Sequence, residues 1–201
     1  MTLAPRLVVL TEVAGRSADL VLKRVGRAAE LARPGALLMV LRDYSLTARA
    51  RLELGHELAR IRARTGQALG VADRVDLAWL LRADAVHLGE SSLAARDVRS
   101  LLPGVWLSRA HHGGEAPDDV DALLVAPVFA PRHGRAALGV EALAELRRRV
   151  GASLMLHALG GVTEHSAREA LVHGADGVAV IGRVLDGDDP TALLKALAIL
   201  R

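Results

Sequence analysis

Apolar residues in this chain recur with two spacings, and the two alternate from one end to the other. Mostly apolar runs of three to five residues, bounded by Gly, Pro, Asp or Ser, stand at 7–10, 37–41, 68–71, 85–88, 105–107, 122–125, 154–156 and 178–181. Because they do not alternate with polar residues, they predict strands covered on both faces. Between them the spacing changes to three and four, in SADLVLKRVGRAAELA, LTARARLELGHELARIRART, DRVDLAWLLRA, SLAARDVRSLL, GVEALAELRRRV, SAREALVHG and DPTALLKALAIL. That period predicts amphipathic helices. Ser17, Thr47, Ser92, Thr163 and Asp189 stand where helix N-caps are needed, and Pro190 suits a first turn. The segment HHGGEAPDDVDA, after the fifth run, has the weakest helical pattern.

Eight strands, each followed by a helix or its remnant, predict an α/β fold, a single (β/α)8 TIM barrel over residues 1–201. A doubly wound sheet would need five or six strands and a phosphate loop after the first, and VLTEVAGRS contains no G-x-G-x-x-G. No Pro-, Gly- or Ser-rich tract divides the chain, so one domain is expected. The apolar runs fall well short of the roughly 18 residues a membrane span requires, and no charged leader with a long apolar stretch follows Met1. These features predict a cytoplasmic protein with no membrane partner. Cysteine is absent, which excludes disulfides and thiolate chemistry. The 26 Lys and Arg against 23 Asp and Glu are spread along helix faces and read as solvated surface. With only Tyr44, Trp79, Trp106 and Phe129 as aromatic residues, neither a base-stacking platform nor a nucleic-acid partner is expected.

Candidate chemistry gathers at the ends of the later strands. Gly160 and Gly161 follow the seventh strand, and Ile181 and Gly182 close the eighth. In barrels, backbone amides of these two loops often hold a phosphate, and glycine lets the anion come close. His56, His157, His165 and His173 show no metal-ligand spacing. His87, inside the fourth strand, is expected to be a hydrogen-bonded core residue, and Asp84 and Asp176 to terminate helix-to-strand loops.

The order LMVLRDYS, VADRVDLA, ADAVHLGESSL, LSRAHH, APVFAP and LGGVTEHSAREALVHGADGVAVIG resembles the thiamine phosphate synthase / TenI-type family. That barrel reads roughly Q-L-R-E-K, N-D-R-V-D-x-A, A-D-G-V-H-L-G-Q-x-D, S-x-H, G-P-V-F-x-T, I-G-G-I and A-G-A-D-G-V-A-V. The match runs from the second strand to the eighth. The resemblance implies a thiazole phosphate ligand and, for the synthase, a pyrimidine pyrophosphate with Mg2+. In the synthase pattern Mg2+ is held by the Asp of N-D and the last Asp of G-Q-x-D, and the Gln, Arg and Lys of Q-L-R-E-K take the pyrophosphate. Asp73 and Arg42 match, whereas Val40 stands for the Gln, Tyr44 for the Lys, Ala72 for the Asn and Ser92 for the second Asp. A neutral serine brings no charge to a hard cation. Glu90, at the Gln position of G-Q-x-D, would reach the cation only with a rearranged loop.

These departures favour the family's second chemistry, that of a thiazole tautomerase. Such an isomerase moves a proton on a thiazole carboxylate phosphate and needs no metal or other cofactor. The resemblance assigns the acid and base to His111, whose side chain titrates near neutrality, and Arg42 could hold a substrate carboxylate or phosphate. His112 and Arg109 flank His111, and since neighbours in an extended segment point to opposite sides, only one orientation can face the ligand. Asp73 and the loop APRHGRAALG, where the family carries T-x-x-K, complete the candidate substrate contacts through Arg132, His133 or Arg135. The alternatives are the synthase, a transferase in which Asp73 would hold Mg2+, and a non-catalytic phosphate-ligand binder. The expected partner is a phosphorylated thiazole, with a second copy of the chain, as a homodimer, a further candidate.

Overall fold

The computed structural model describes residues 3–117, 119–132 and 134–201. Parallel strands β1 (Leu7–Leu10), β2 (Leu37–Leu41), β3 (Ala68–Ala72), β4 (Ala85–Leu88), β5 (Trp106–His111), β6 (Ala122–Val125), β7 (Met155–Leu159) and β8 (Gly177–Val180) lie side by side in sequence order. β8 pairs back onto β1 and closes a (β/α)8 barrel. Helices α1 (Ala18–Leu31), α2 (Ala48–Thr65), α3 (Val75–Leu80), α4 (Ala95–Leu101), α5 (Val140–Val150) and α6 (Glu164–Val172) follow β1 to β4, β6 and β7. The short α7 (Gly182–Leu185) and α8 (Thr191–Ala196) follow β8. No helix among the described residues is long and apolar enough to cross a membrane.

Strand register decides which side chains enter the barrel. Val40 pairs with Gly70, Gly70 with Ala85, Ala85 with Trp106, Trp106's strand neighbour Ser108 with Ala122, and Leu124 with His157. These residues share one face, the interior, where Trp106 meets His157 edge-on across a 6.4 Å ring separation. Residues of the other parity face the helices, as Leu41 does beside Gly55 of α2. Almost every strand residue is buried on one side or the other, which is why the strands read as unbroken apolar runs.

Three departures from the sequence reading have local causes. β5 continues through Ser108 and Arg109 to His111, because β6 offers a ladder up to the pair His111–Val125 whatever side chains the strand carries. No helix forms among the described residues between β5 and β6, where Gly113 and Gly114 take φ of 106° and 83°, values that a helix excludes. Ser17, Thr47 and Thr163 do cap α1, α2 and α6 through their hydroxyls, but α4 starts after Ala94, and the Ser92 hydroxyl is used elsewhere.

At the N-terminal rim one device recurs. Asp84, Asp121 and Asp176 stand just before β4, β6 and β8, and each accepts the N–H of the preceding strand, from Leu69 (2.9 Å), Leu107 (2.7 Å) and Leu156 (2.8 Å). Arg62, Arg99 and Arg147 neutralise them. Gln67, just before β3, does the same for Leu37 at 3.0 Å. Arg147 also donates to the carbonyls of Gly174, Gly151 and Leu154, so it satisfies three loop acceptors besides Asp176. Arg147→Ala is expected to lower unfolding free energy by about 2 kcal/mol, read by urea titration; a loss below about 0.5 kcal/mol would show that water replaces the guanidinium there.

Candidate functional site

The C-terminal mouth is built around the loop after β1. Glu12 lies two residues past Leu10 and Arg42 two past Val40, and since Leu10 and Val40 are paired, both side chains fall on the interior face. Arg42 Nη1 donates to Glu12 Oε1 at 3.0 Å. Its partner is thus Glu12 rather than Asp43 or Asp73. Asp43 is buried instead and accepts the Thr11 hydroxyl and the Val13 N–H, fixing the start of the same loop. On the other flank Arg16 forms a two-pronged bond to Asp186 after β8, at 2.7 and 2.9 Å. The β1 loop therefore brackets both neighbouring strands.

Beside Arg42 stands Tyr44, with the Arg42 guanidinium 5.1 Å and that of Arg51 5.4 Å from its ring centre. Arg51 is buried and donates to the carbonyls of Leu41 and Ala72. The Tyr44 hydroxyl donates to Asp73 Oδ2 at 2.6 Å. Asp73, at φ 61° in the left-handed region, accepts the Gly89 N–H at 3.0 Å and the Ser92 hydroxyl on Oδ1. Burial would raise the Asp73 pKa, but the bonds from Ser92, Tyr44 and Gly89 outweigh it and hold the carboxyl below its ordinary value. Partial burial and the bond to Asp73 push the Tyr44 phenol up to about 12, so it remains a donor at neutral pH.

This arrangement does not fit a divalent cation. Both Asp73 oxygens carry hydrogen bonds, and Ser92 is neutral. Glu90 accepts from Arg135 Nη2 at 2.8 Å rather than joining Asp73. No group of three or more His, Asp or Glu side chains that could hold a metal occurs among the described residues.

The histidines divide by parity. His111 has the parity of Leu107 and lies outside the barrel, lining a cavity of about 160 Å3 with Val125, Leu138, Ala142, Leu146 and Arg149. Burial, then Arg149 and His112, lower its pKa. His112 has the interior parity of Ser108, and its Nδ1 lies 2.6 Å from the Ala126 carbonyl at the mouth. The expected orientation is reversed: His112 belongs to the mouth and His111 to the layer under α5. In a motif of the form S-x-H the two side chains share a face, and in SRAHH only His112 stands at an even offset from Ser108.

His87 is the core residue its strand suggested, with Nδ1 3.0 Å from Ser108 Oγ. Burial drives its pKa down to about 4, against an upward pull from Asp73, and burial lowers that of His157 as well. In both, burial disfavours the charged form. The unfolded chain takes up a proton near pH 6.5 that folded His87 refuses until about pH 4, so stability present above 6.5 is lost as the pH falls through that window. The melting temperature should therefore drop from about pH 7 to about pH 4, and drop less steeply in His87→Gln. Parallel slopes for the two proteins would remove His87 as a cause.

The phosphate side is formed by the β6, β7 and β8 loops. Gly160 and Gly161 have φ of 97° and 74°. The Gly160 carbonyl accepts the Phe129 N–H at 2.9 Å. A Cβ on Gly161 would lie 2.7 Å from Ala130 Cβ and 2.9 Å from its nitrogen. These glycines are thus required by the approach of the β6 loop, independently of any ligand. Ile181 is buried and precedes α7, whose first residue is Gly182. A Cβ on Gly182 would meet Asp186 Oδ2 at 2.7 Å, a carboxylate that Arg16 neutralises. Arg183 pairs with Glu164 of α6 and joins the two loops. Arg132 and Arg135 exchange backbone hydrogen bonds across the tip of the β6 loop; His133, between them, lies outside the described residues. Arg42, Asp73, Gly160, Gly161, Ile181 and Gly182 are thus brought to one mouth, and His111 is not. Glu12, Tyr44 and His112 join it.

Comparison with known proteins agrees with this fold. The family model described as thiamine monophosphate synthase matches residues 10–184. The chain is 34% identical over 174 residues to a thiamine-phosphate synthase of Chloroflexus aurantiacus, covering 83% of this chain and 80% of that protein. It is 33% identical over 196 residues to one of Haloarcula marismortui, covering 92% and 89%. The solved thiamine phosphate pyrophosphorylase from Pyrococcus furiosus superposes with a TM-score of 0.82 at 25% identity, covering 98% of this chain and 96% of that one. Matched along its barrel by the family model and by these relatives, the chain belongs to the thiamine monophosphate synthase family.

Proposed function

We propose that this chain is a transferase of thiamine assembly, joining thiazole phosphate to a pyrimidine pyrophosphate with release of pyrophosphate. The observation that carries it is the kinship along nearly the whole barrel with proteins named thiamine-phosphate synthase. That kinship supports the transferase over the tautomerase favoured by the sequence pattern, and His111, the residue on which the tautomerase depended, lies outside the mouth. In this reading the amides after β7 and β8 hold the thiazole phosphate. Arg42 meets the diphosphate, whose charge grows as its bond to the pyrimidine carbon breaks and the bond to the thiazole nitrogen forms. A cytoplasmic place suits such a reaction.

The test is incubation with both substrates, with thiamine phosphate and pyrophosphate measured together. Equimolar appearance of the two is expected. Conversion of a thiazole carboxylate phosphate tautomer, with no coupling of the two substrates, would overturn the transferase and return the isomerase, with His112 as its acid and base. Binding of thiazole phosphate with neither reaction would leave a non-catalytic binder.

A further inference from the structure

The Asp73 cluster is fully satisfied without an ion. Oδ2 is taken by the Tyr44 hydroxyl at 2.6 Å, and Oδ1 by the Gly89 amide and the Ser92 hydroxyl. Ser92 Oγ in turn accepts the Gly89 N–H at 2.7 Å. A divalent ion entering here would compete with the Tyr44 and Ser92 hydroxyls for the Asp73 carboxylate and would gain one carboxylate in return, too little charge for a hard octahedral cation. The guanidinium groups around the mouth are held differently. Arg42 is paired with Glu12 at 3.0 Å and Arg135 with Glu90 at 2.8 Å, both pairs partly exposed. Exposed ion pairs are weak, and a phosphate oxygen can replace a carboxylate oxygen on a guanidinium without loss of a charge-assisted hydrogen bond. Arginine also keeps its charge at any working pH.

We propose that Tyr44 and Ser92 seal Asp73 against divalent cations, and that the mouth takes a diphosphate on Arg42 and Arg135, exchanged from Glu12 and Glu90, with no metal at Asp73. The diphosphate as ligand rests on the transferase reading; the sealed carboxylate stands on the hydrogen bonds alone.

The test uses the full chain with inorganic pyrophosphate and Mn2+ as probes. Calorimetric titration of pyrophosphate should give an affinity in excess chelator within roughly threefold of that in Mg2+, a difference below about 0.7 kcal/mol. Arg42→Gln and Arg135→Gln should each weaken it by about tenfold or more. By electron paramagnetic resonance the parent should leave Mn2+ free in the absence of pyrophosphate, which itself chelates the ion. The double variant Tyr44→Phe, Ser92→Asp, which frees Asp73 and adds a second carboxylate, should gain one Mn2+ per chain, with circular dichroism confirming its fold. Mn2+ bound by the parent and lost in Asp73→Asn would overturn the proposal. So would pyrophosphate binding that needs Mg2+, or that fails in both conditions. Metal-free pyrophosphate binding without coupling of the two substrates would instead sink the transferase and leave the sealed site standing.

Discussion

Arg42→Ala is expected to lower the rate of thiamine phosphate formation by about 10²–10³-fold, the usual cost of losing one donor aimed at charge that develops in the transition state. The loss should fall on kcat more than on KM for thiazole phosphate, because in the proposed reading the thiazole's phosphate is held by the β7 and β8 loops. Arg42→Lys should recover only part of it, since an ammonium cannot reproduce a two-pronged grip. The fold should survive, because the Arg42 side chain is partly exposed and its partner Glu12 regains water. Steady-state kinetics decide the matter: turnover within a few-fold of the parent would remove Arg42 from the reaction and leave its ion pair with Glu12 as a loop contact.

Gly161→Val is expected to cost about 4 kcal/mol of stability and to abolish measurable binding of thiazole phosphate. Two penalties add. A β-branched residue at φ 74° is strained by about 1–3 kcal/mol, and a Cβ 2.7 Å from Ala130 Cβ and 2.9 Å from its nitrogen forces the β6 loop away, at a cost typical of overpacking, about 1–3 kcal/mol. Gly161→Ala should show the same direction with less strain. Urea unfolding measures the first effect and calorimetry the second. Normal stability with normal affinity would show that the β6 loop is free to move and that the amides after β7 hold no phosphate.

Much of the barrel was legible because its strands are buried on both sides, so that runs such as LVVL, LLMVL and ALLV carry no polar interruption. The end of β5 was not legible, because Ser108, Arg109 and His111 are held in the sheet by β6, a partner that local spacing does not reveal. The same blindness misassigned Ser92, whose position before a helical pattern suggests a cap, while its actual bonds are to Asp73 and Gly89. Individual residues of the mouth could be named from motifs, but their pairing could not. That Arg42 meets Glu12, that Asp43 turns to Thr11 and that Tyr44 reaches Asp73 all depend on strand register. The inversion of His111 and His112 is instructive because parity, counted from Ser108, was available in the sequence and outweighs adjacency to a motif.

The clasps at the N-terminal rim bear on how this protein acquires new chemistry. Asp84, Asp121 and Asp176, with their arginines and with Gln67, tie strand to strand at the end of the barrel opposite the mouth. These bonds reinforce the strand ladders at the end away from the mouth. Exchanges at Tyr44, Ser92 or His112 leave these clasps in place. In this molecule the scaffold and the reaction are separable inheritances, which is how a family can keep one barrel while its mouth drifts from one ligand grip to another.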